Sequence, residues 1–401
     1  LHLHRLRDKQ LEAITTEQLQ AVLDLENRLI PVVVEMENRG FSINKERLLG
    51  VMEDYSTELK DTLAYFRESF GEEINPNSPS QLKSALEEKG LKLSNTSEQT
   101  LKEEDQPLTT CVLNYRSAKK QMEQAETLLK SIESDGRIHA RFEPTGTDTG
   151  RFSSKNPNLQ NIGRGKLRGC FTPADGSSLV VADYSQVELR VAAVVAGENR
   201  MIEAYKNSED LHRQTASIVL GKPVEEVSKK DRQLAKAVNF GLLYGQSAKG
   251  LVGYAKKAYG VEMDYERARD IRGRFFSAYT GLSEWHKKTR KRAREDAQSV
   301  HTVLGRKRWL SGEKDAEWFR FVALLNTPVQ GGSADALKQA MVDLSDKLPH
   351  TASIVSTVHD ELIVECASDT ADEVKALVET VMLDAVQTMF QGVRFEVESG
   401  I

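Results

Sequence analysis

The sequence of 401 residues predicts an α+β fold, in which regions of mixed helix and strand flank two helical insertions. Apolar residues recur at helical spacing over 22–37 and 46–67, and a long helix rich in Lys, Glu and Leu is predicted over about 108–134. Short runs rich in β-branched residues predict strands at 178–183, 353–358, 361–366 and 394–397. A mostly helical stretch, 200–325, separates the first of these strands from the others.

Capping and turn residues in the first half mark where elements begin and end. The cluster Asn75–Ser80 predicts a turn whose Ser80 caps a helix that begins at Gln81. Residues 144–154, which are rich in Gly, Thr and Ser, predict a loop. Gly197 is predicted to end the helix that follows the first strand.

The second half carries similar signals. Residues 302–310 predict a small hairpin, and Pro328–Ser333 are predicted to open a helix. A further helix, over about 370–390, precedes the last strand. The chain is too long for one ordinary compact domain, so we expect two or three structural units.

Composition restricts the possible classes of function. The sequence has no run of about 18 apolar residues, so a membrane-spanning role is not expected. Its three cysteines are too far apart to predict a zinc site or a disulfide framework. The N-terminus lacks the pattern of a secretion signal, and we therefore expect a cytoplasmic protein with reduced thiols.

The charge of the chain limits how it could bind nucleic acid. A net charge of -5 argues against indiscriminate coating, because that binding needs many Lys and Arg side chains. A local basic segment, Lys287–Arg294, carries six cations in eight residues. Such a segment fits either a nucleic-acid contact or the solvated face of a helix, and the sequence leaves both open.

Two carboxylates follow apolar, strand-like runs. Asp183 ends the first strand, and Asp360 lies at the corner of a predicted hairpin with Glu361 beside it. If the strands are neighbours in one sheet, both aspartates emerge at the same edge. Carboxylate oxygens suit Mg²⁺, and two ions about 3.5 to 4 Å apart can stabilise the attacking and leaving oxygens of an in-line displacement. Each Asp alone also fits ordinary turn or capping chemistry.

A helix between these carboxylates carries a stripe of residues at intervals of four: Arg232, Lys236, Phe240 and Tyr244. The stripe rises about 18 Å along one slowly winding face. Cations followed by an aromatic ring suit a nucleoside triphosphate, which is charged at one end and flat at the other. The alternative is an ordinary amphipathic helix with solvated cations and buried aromatics. Gly241 and Gly245 within this helix predict close packing or bending, and bending fits closure over a nucleotide.

Five segments together resemble the family A DNA polymerases, the bacterial DNA polymerase I group. They are Thr149–Ser154 with Asn156–Ile162, Asp183–Arg190, Arg232–Gly245, Pro328–Gly331 and Val358–Glu361. The resemblance covers nearly the whole chain and is weakest over 94–107. It implies a right-hand polymerase architecture, with an antiparallel palm sheet and a helical thumb and fingers. The implied enzyme is a nucleotidyltransferase that adds deoxynucleotides to a primer on a DNA template.

The resemblance also divides the chain into segments. We expect an N-terminal helix left from a preceding exonuclease-type domain at 1–28, palm at 29–46, 136–199 and 326–401, thumb at 47–135, and fingers at 200–325. The sequence supplies no convincing exonuclease carboxylate cluster. We therefore expect a polymerase module, a fragment or processed product, without proofreading activity.

Individual residues receive roles through the same resemblance. Asp183 and Asp360 are expected to hold two Mg²⁺ ions together with the Tyr184 carbonyl, with Mn²⁺ as a substitute, and Glu361 is expected to be an auxiliary carboxylate. The expected nucleotide contacts are Arg232, Lys236, His212, Phe240, Tyr244, Glu188, Gln186 and Ser185. The expected primer and template contacts are Arg151, Gln160, Asn161, Gln330 and His359.

Three of these residues carry more specific expectations. Lys236 is expected to give a proton to the departing pyrophosphate, Glu188 to crowd the ribose 2′ position, and Phe240 to disfavour dideoxynucleotides. The expected partners are primer–template DNA and deoxynucleoside triphosphates, bound by a monomer. Two alternatives stay open: a polymerase of the same family that works on RNA templates, and a non-catalytic nucleic-acid-binding module.

Overall fold

The structure is a computed structural model that describes residues 2–104, 106–163, 165–310 and 316–401. The parts of the predicted thumb, palm and fingers at 105, 164 and 311–315 lie outside the described residues. The helices are α1 His2–Thr16, α2 Gln20–Arg39, α3 Lys45–Phe70, α4 Pro79–Glu88, α5 Glu98–Glu104, α6 Pro107–Lys130, α7 Val187–Ala196, α8 Asn199–Lys206, α9 Leu211–Leu220, α10 Lys229–Leu243, α11 Ala248–Tyr259, α12 Tyr265–Ala278, α13 Thr280–Arg294, α14 Ala316–Asn326, α15 Gly332–Ser345 and α16 Ala371–Met389. The strands are β1 Phe41–Ser42, β2 Arg137–Ile138, β3 Arg141–Glu143, β4 Ser153–Lys155, β5 Ser177–Tyr184, β6 Ser299–His301, β7 Lys307–Trp309, β8 Ala352–Val358, β9 Glu361–Ala367 and β10 Val397–Gly400.

Internal contacts divide the chain into two compact units. The first unit comprises Leu1–Arg39, Phe142–Ser154 and Asp175–Ile401, and the second comprises Gly40–Arg141 and Lys155–Ala174. Two units agree with the expectation, based on the length of the chain, of two or three structural units. Within the described ranges, every helix is too short or too polar to cross a membrane.

The first unit is built on an antiparallel sheet with the strand order β10-β5-β9-β8. Helix α16 packs against β5, and α2 packs against β8. The strands predicted at 178–183, 353–358 and 361–366 are confirmed. The last strand was predicted at 394–397 and this is wrong, because β10 begins at Val397. Val397 pairs with Tyr184, where β5 ends, so the residues before it have no partner on β5.

Helix α10 begins at a capping box, in which Ser228 and Asp231 each accept a hydrogen bond from the other's backbone N–H. It ends at Leu243, so the interpretation of Gly245 as a helix-interior glycine is wrong. Gly245 has a φ of +85°, in the left-handed region that favours glycine after a helix end. Gly241 does lie inside the helix, and a Cβ there would come within 3.0 Å of Leu251, so α10 and α11 pack closely as predicted.

The region around Pro328 also differs from the sequence prediction. Pro328 does not open a helix: a π-helical turn, Thr327–Gly331, joins α14 directly to α15. A π turn carries one extra residue, which lets the helical path continue past a proline that lacks a backbone N–H. Gln330 lies on this turn, and such turns are frequent at functional sites.

The predicted hairpin forms from β6 and β7, and a buried ion cluster anchors it. Arg306, in the hairpin loop, contacts Asp335 at 2.7 Å and Glu26 at 2.5 Å, and Lys338 contacts Glu26 at 2.6 Å. Asp335 and Lys338 have 0% side-chain exposure, so the two cations and two carboxylates compensate one another away from water. A Cβ on Gly150 would lie 2.5 Å from Arg306, which places this cluster directly under the loop that carries Arg151.

The second unit has its own core, and α3 and α6 form its largest helix pair. Its core cluster includes Phe66, Leu82, Leu101 and Val112. Helix α4 begins at Pro79 with Ser78 as its cap, so the prediction of a cap at Ser80 is wrong. Proline at the first helical position has a backbone angle already suited to a helix, which moves the start two residues earlier.

Candidate active site

The edge of the first unit's sheet brings the two predicted aspartates together. Asp183, at the end of β5, pairs with Glu361, and Asp360 occupies the turn that leads into β9. The backbone N–H of Tyr184 donates to the Asp360 carbonyl at 3.4 Å. Because neighbouring strands lie about 4.8 Å apart, side chains at these positions can reach one common ligand. The sequence made a common edge conditional on neighbouring strands, and the register pairs β5 with β9.

A network of charged and polar side chains connects Asp360 to helix α10. Arg151 Nη2 contacts Glu188 Oε1 at 2.5 Å and Asp360 Oδ1 at 3.3 Å. The Tyr244 hydroxyl donates to the other oxygen of Glu188, and Tyr244 also bonds to the side chain of Gln330. Four elements are thereby joined: the loop at Arg151, the start of α7, the end of α10 and the π turn.

The electrostatics of this network follow from burial. Burial raises the pKa of Asp360, with Arg151 opposing the shift. Burial alone would lower the pKa of Arg151. The negative charges of Asp360 and Glu188 have the larger effect, so the pKa of Arg151 is raised and its guanidinium stays cationic. Burial, with the negative charge of Glu188, raises the pKa of Tyr244 well above its usual range, so its hydroxyl remains a donor.

The donor chemistry at this edge suits a hard cation. Asp183, Asp360 and Glu361 carry carboxylate oxygens, the type of ligand that a hard cation prefers, and Arg151 is in direct contact with Asp360. Among the described residues no three His, Cys, Asp or Glu side chains are already arranged as a metal cage. Mg²⁺ commonly binds through one or two carboxylates and completes its shell with water and substrate phosphate, so a pair of aspartates fits it.

The cationic half of α10 carries Arg232 and Lys236. Arg232 Nε contacts Asp210 Oδ2 at 2.6 Å, and Asp210 also caps the start of α9. Partial burial raises the pKa of Asp210, but the hydrogen bond from Arg232 helps bring it below its usual range. Lys236 is half-buried one turn further along α10.

His212 and Phe240 lie side by side next to these cations. Their ring centroids are 6.2 Å apart, and His212 is 2% exposed. Burial, reinforced by the positive charge of Arg232, lowers the pKa of His212 to about 4. The ring is therefore neutral at neutral pH, and its Nδ1 contacts Asn239 Nδ2 at 2.9 Å.

The remaining predicted residues of the first unit have different surroundings. The Tyr184 hydroxyl is buried and donates to the Met382 carbonyl at 2.7 Å, so the side chain points into the core. Ser185 Oγ donates to Glu398 at 2.8 Å. Gln186 adopts a φ of +52°, and its side chain accepts from Tyr205 at 3.4 Å. His359 is exposed with a φ of +56°, a conformation that non-glycine residues seldom adopt.

Gln160 and Asn161 belong to the second unit. They form the short 3-10 turn Leu159–Asn161, which Asn158 caps. Gln160 is buried, whereas Asn161 is exposed and its carbonyl accepts from Gln124 at 3.3 Å.

Most cations of the segment Lys287–Arg294 have local partners on or near α13. Three of them pair with glutamates: Lys288 with Glu284 at 3.8 Å, Lys291 with Glu295 at 3.7 Å, and Arg294 with Glu317 at 3.1 Å. Arg290 lies 4.1 Å from the centroid of the Phe321 ring. These contacts favour the solvated helix face over a dedicated nucleic-acid contact.

Sequence reasoning missed the polar partners of the predicted residues. Asp210, which contacts Arg232, lies just before α9, where an Asp followed by a helix signals only a cap. Asn239, which contacts His212, did leave a signal, because it is a polar residue on the otherwise apolar face formed by Ala235, Val238 and Leu242.

Comparisons with known proteins agree on one family. The model of DNA polymerase family A matches residues 45–401. DNA polymerase I of Aquifex aeolicus is 38% identical over 390 residues, which cover 94% of this chain and 66% of that protein. DNA polymerase I of Bacillus subtilis is 34% identical over 416 residues, which cover 96% of this chain and 46% of that protein.

A solved structure shows the same likeness. The POL domain of Pol1 from M. smegmatis, in complex with DNA primer-template and dNTP, superposes with a TM-score of 0.84 and 31% identity. The likeness covers 94% of this chain and 69% of that one. The chain thus spans less than two thirds of the length of the curated relatives described above.

These likenesses define a fold of the right-hand polymerase type, and the α+β prediction is confirmed. The chain belongs to DNA polymerase family A.

Proposed function

We propose that this chain is a DNA-directed DNA polymerase that adds deoxynucleotides to a primer 3′-hydroxyl and releases pyrophosphate. The observation that carries the proposal is the contact path from Asp360 through Arg151 and Glu188 to Tyr244 at the end of α10. It links the acidic sheet edge to the helix that carries Arg232 and Lys236. Carboxylates able to hold cations, beside a helix whose cations can hold phosphates, would provide the positioning and charge stabilisation on which nucleotidyl transfer depends.

The nucleotide is proposed to lie along α10. Arg232 and Lys236 bind the phosphates, and His212 contributes a neutral donor beside them. Arg232 keeps its guanidinium oriented through Asp210, at 2.6 Å, which reduces the freedom lost when it binds phosphate. Phe240, on α10, and Tyr244, just after the end of α10, lie toward the base. Glu188, Gln186 and Ser185 lie beside the sugar.

In the reaction proposed, the primer 3′-hydroxyl gives up its proton to solvent and its oxygen forms a bond to the α-phosphorus. The bond from the α-phosphorus to the oxygen that bridges to the β-phosphate breaks, and pyrophosphate leaves with that oxygen. Lys236 gives a proton to the departing pyrophosphate. Arg151, held by Glu188 and Asp360, is positioned at the primer end, and Gln330 and His359 contact primer or template near it. Gln160 and Asn161 are proposed, separately, to contact primer or template.

Asp183 and Asp360 would hold Mg²⁺, with the backbone carbonyl of Tyr184 as a further ligand and Glu361 as an auxiliary carboxylate. The burial of the Tyr184 side chain supports this assignment, because it leaves only the backbone of that residue for the sheet edge. Two such ions, when bound, supply charge neutralisation at the attacking and leaving oxygens, and Mn²⁺ is expected to substitute. The family is metal-dependent, whereas the identity of the ion is part of the proposal.

The division into palm, thumb and fingers is also proposed. It is supported by α3 to α6, which all belong to the second unit, and by β5, β8, β9 and β10, which share one sheet. The proposed partners are primer–template DNA and deoxynucleoside triphosphates, and the proposed compartment is the cytoplasm, in keeping with the bacterial relatives.

Primer extension by the purified protein tests the proposal. With Mg²⁺, a DNA template and all four deoxynucleotides, we expect templated extension, and replacing Asp183 or Asp360 by Ala should abolish it while duplex binding persists. The matched control is Asp372→Ala, which removes an exposed carboxylate in the first turn of α16. Near-normal extension by either aspartate variant, or none by the wild type, would overturn the assignment.

The same assay separates the alternatives. Extension on an RNA template at a rate similar to that on DNA would favour a polymerase adapted to RNA. Duplex binding without extension on either template would favour a non-catalytic binding module.

A further inference from the structure

A chain of four buried polar side chains ends at His212. Tyr279, between α12 and α13, has its hydroxyl 2.8 Å from Thr215 Oγ1, which in turn lies 3.0 Å from Asn239 Oδ1. Asn239 Nδ2 lies 2.9 Å from His212 Nδ1. Tyr279, Thr215 and Asn239 have 0% exposure, so water does not replace these hydrogen bonds.

Donor and acceptor capacities fix the direction of this chain. Thr215 has one hydroxyl hydrogen and donates it to Asn239 Oδ1, so it accepts from the Tyr279 hydroxyl. The opposite direction would leave the buried Tyr279 hydrogen without an acceptor among the described residues, a loss of about 1 to 3 kcal/mol. The Asn239 carbonyl is therefore occupied, and its amide group faces His212 as a donor.

The direction determines where the proton of His212 lies. An amide donor at Nδ1 requires that Nδ1 carry no hydrogen, so the neutral ring has its proton on Nε2. Nε2 has no hydrogen-bond partner among the described residues. It is also absent from the described side-chain atoms that are buried without a partner, so Nε2 is not fully buried. The ring can thus present a single, neutral N–H donor to a ligand.

We propose that Tyr279, Thr215 and Asn239 are positioning residues that hold His212 as an Nε2–H donor for a nucleotide phosphate oxygen. Of this proposal, only the identity of the ligand, a nucleotide phosphate, rests on the proposed function. Arg232 and Lys236 provide the positive charge that binds the anion. His212 fixes where a phosphate oxygen binds, because a neutral ring of fixed tautomer has one N–H donor, at Nε2. The three helices α9, α10 and α12 are joined by the same chain, so the donor is fixed relative to α10.

The test is nitrogen NMR of protein labelled with ¹⁵N-histidine, near neutral pH and without nucleotide. We expect the His212 signals, assigned by their loss in His212→Gln, to show a proton on Nε2. Asn239→Asp replaces the amide donor by a carboxylate acceptor of similar shape, and the proton should move to Nδ1. Asn199→Asp, which adds the same charge at an exposed position of α8, is the matched control and should leave the signals unchanged.

Thr215→Val provides a second variant if Asn239→Asp does not fold. It removes the hydroxyl that orients the Asn239 amide, so the signals should indicate a mixture of tautomers. A wild-type ring with its proton on Nδ1, or a tautomer unchanged in both variants, would overturn the inference whether or not the protein extends primers.

The role toward phosphate has its own readout. Asn239→Asp should raise KM for deoxynucleotide by about tenfold or more, as expected for loss of a hydrogen bond to a charged group, with duplex affinity unchanged. A tautomer that moves while KM stays constant would leave the proposed polymerase function intact and overturn the positioning role.

Discussion

Removing the Arg306 side chain should strongly destabilise the first unit. Arg306→Met preserves most of the side-chain volume but leaves Asp335, which has 0% side-chain exposure, with Thr302 as its hydrogen-bond donor and without its contacting cation. Breaking a buried ion pair from one side costs about 3 to 5 kcal/mol, because the remaining charge stays desolvated. We therefore expect the free energy of unfolding to fall by about 3 to 5 kcal/mol.

Urea denaturation followed by tryptophan fluorescence is the assay, since Trp309 lies on β7 of the anchored hairpin. The matched control is Arg274→Met, which removes an exposed arginine paired with an exposed Asp270 and should cost about 1 kcal/mol or less. Equal losses of unfolding free energy in Arg306→Met and Arg274→Met would refute the reasoning.

The pH dependence of the stability difference between Arg306→Met and the wild type is a second test, and its direction can be predicted. Burial already raises the pKa of Asp335, and Arg306 opposes that shift, so removing Arg306 raises this pKa further. A carboxyl whose pKa is higher in the folded than in the unfolded state binds its proton more tightly when folded, so acidification favours folding. The deficit of Arg306→Met relative to wild type should therefore shrink as the pH falls through the raised pKa. A deficit that stays constant or grows would contradict burial of an uncompensated Asp335.

Further predictions concern the nucleotide. Glu188→Ala should raise the ratio of ribonucleotide to deoxynucleotide kcat/KM, because the side chain proposed to crowd the 2′ position is lost; an unchanged ratio would count against that role. Arg232→Ala should lower kcat/KM for deoxynucleotides about tenfold to a hundredfold through lost phosphate contacts, measured by single-nucleotide incorporation, and a change below twofold would contradict it. Phe240→Tyr should increase incorporation of dideoxynucleotides relative to deoxynucleotides, and equal selectivity in both proteins would exclude Phe240 as the determinant.

The sequence predicted those features that local patterns encode. Helical spacing located α3, α6 and α10, and β-branched runs located β5, β8 and β9. The sequence placed Asp183 and Asp360 at one sheet edge on the condition that their strands are neighbours, and the register pairs β5 with β9.

Features that depend on distant partners could not be predicted in the same way. The start of β10 depends on where β5 ends, which no pattern around residue 394 records. Pro328 indicates a helix start in sequence, yet a π turn continues the helix through it. The ion cluster joins residues 26, 306, 335 and 338, whose separations along the chain carry no periodic signal.

The most direct test of the central claim is anomalous diffraction from Mn²⁺ in crystals of the protein with primer–template and an unreactive deoxynucleotide analogue. If Asp183 and Asp360 hold the ions of a two-metal site, two anomalous peaks should lie about 3.5 to 4 Å apart between their carboxylates. Asp183→Asn should weaken at least one of them. Peaks elsewhere in the molecule, or none beside these two side chains when the nucleotide is bound, would contradict the account.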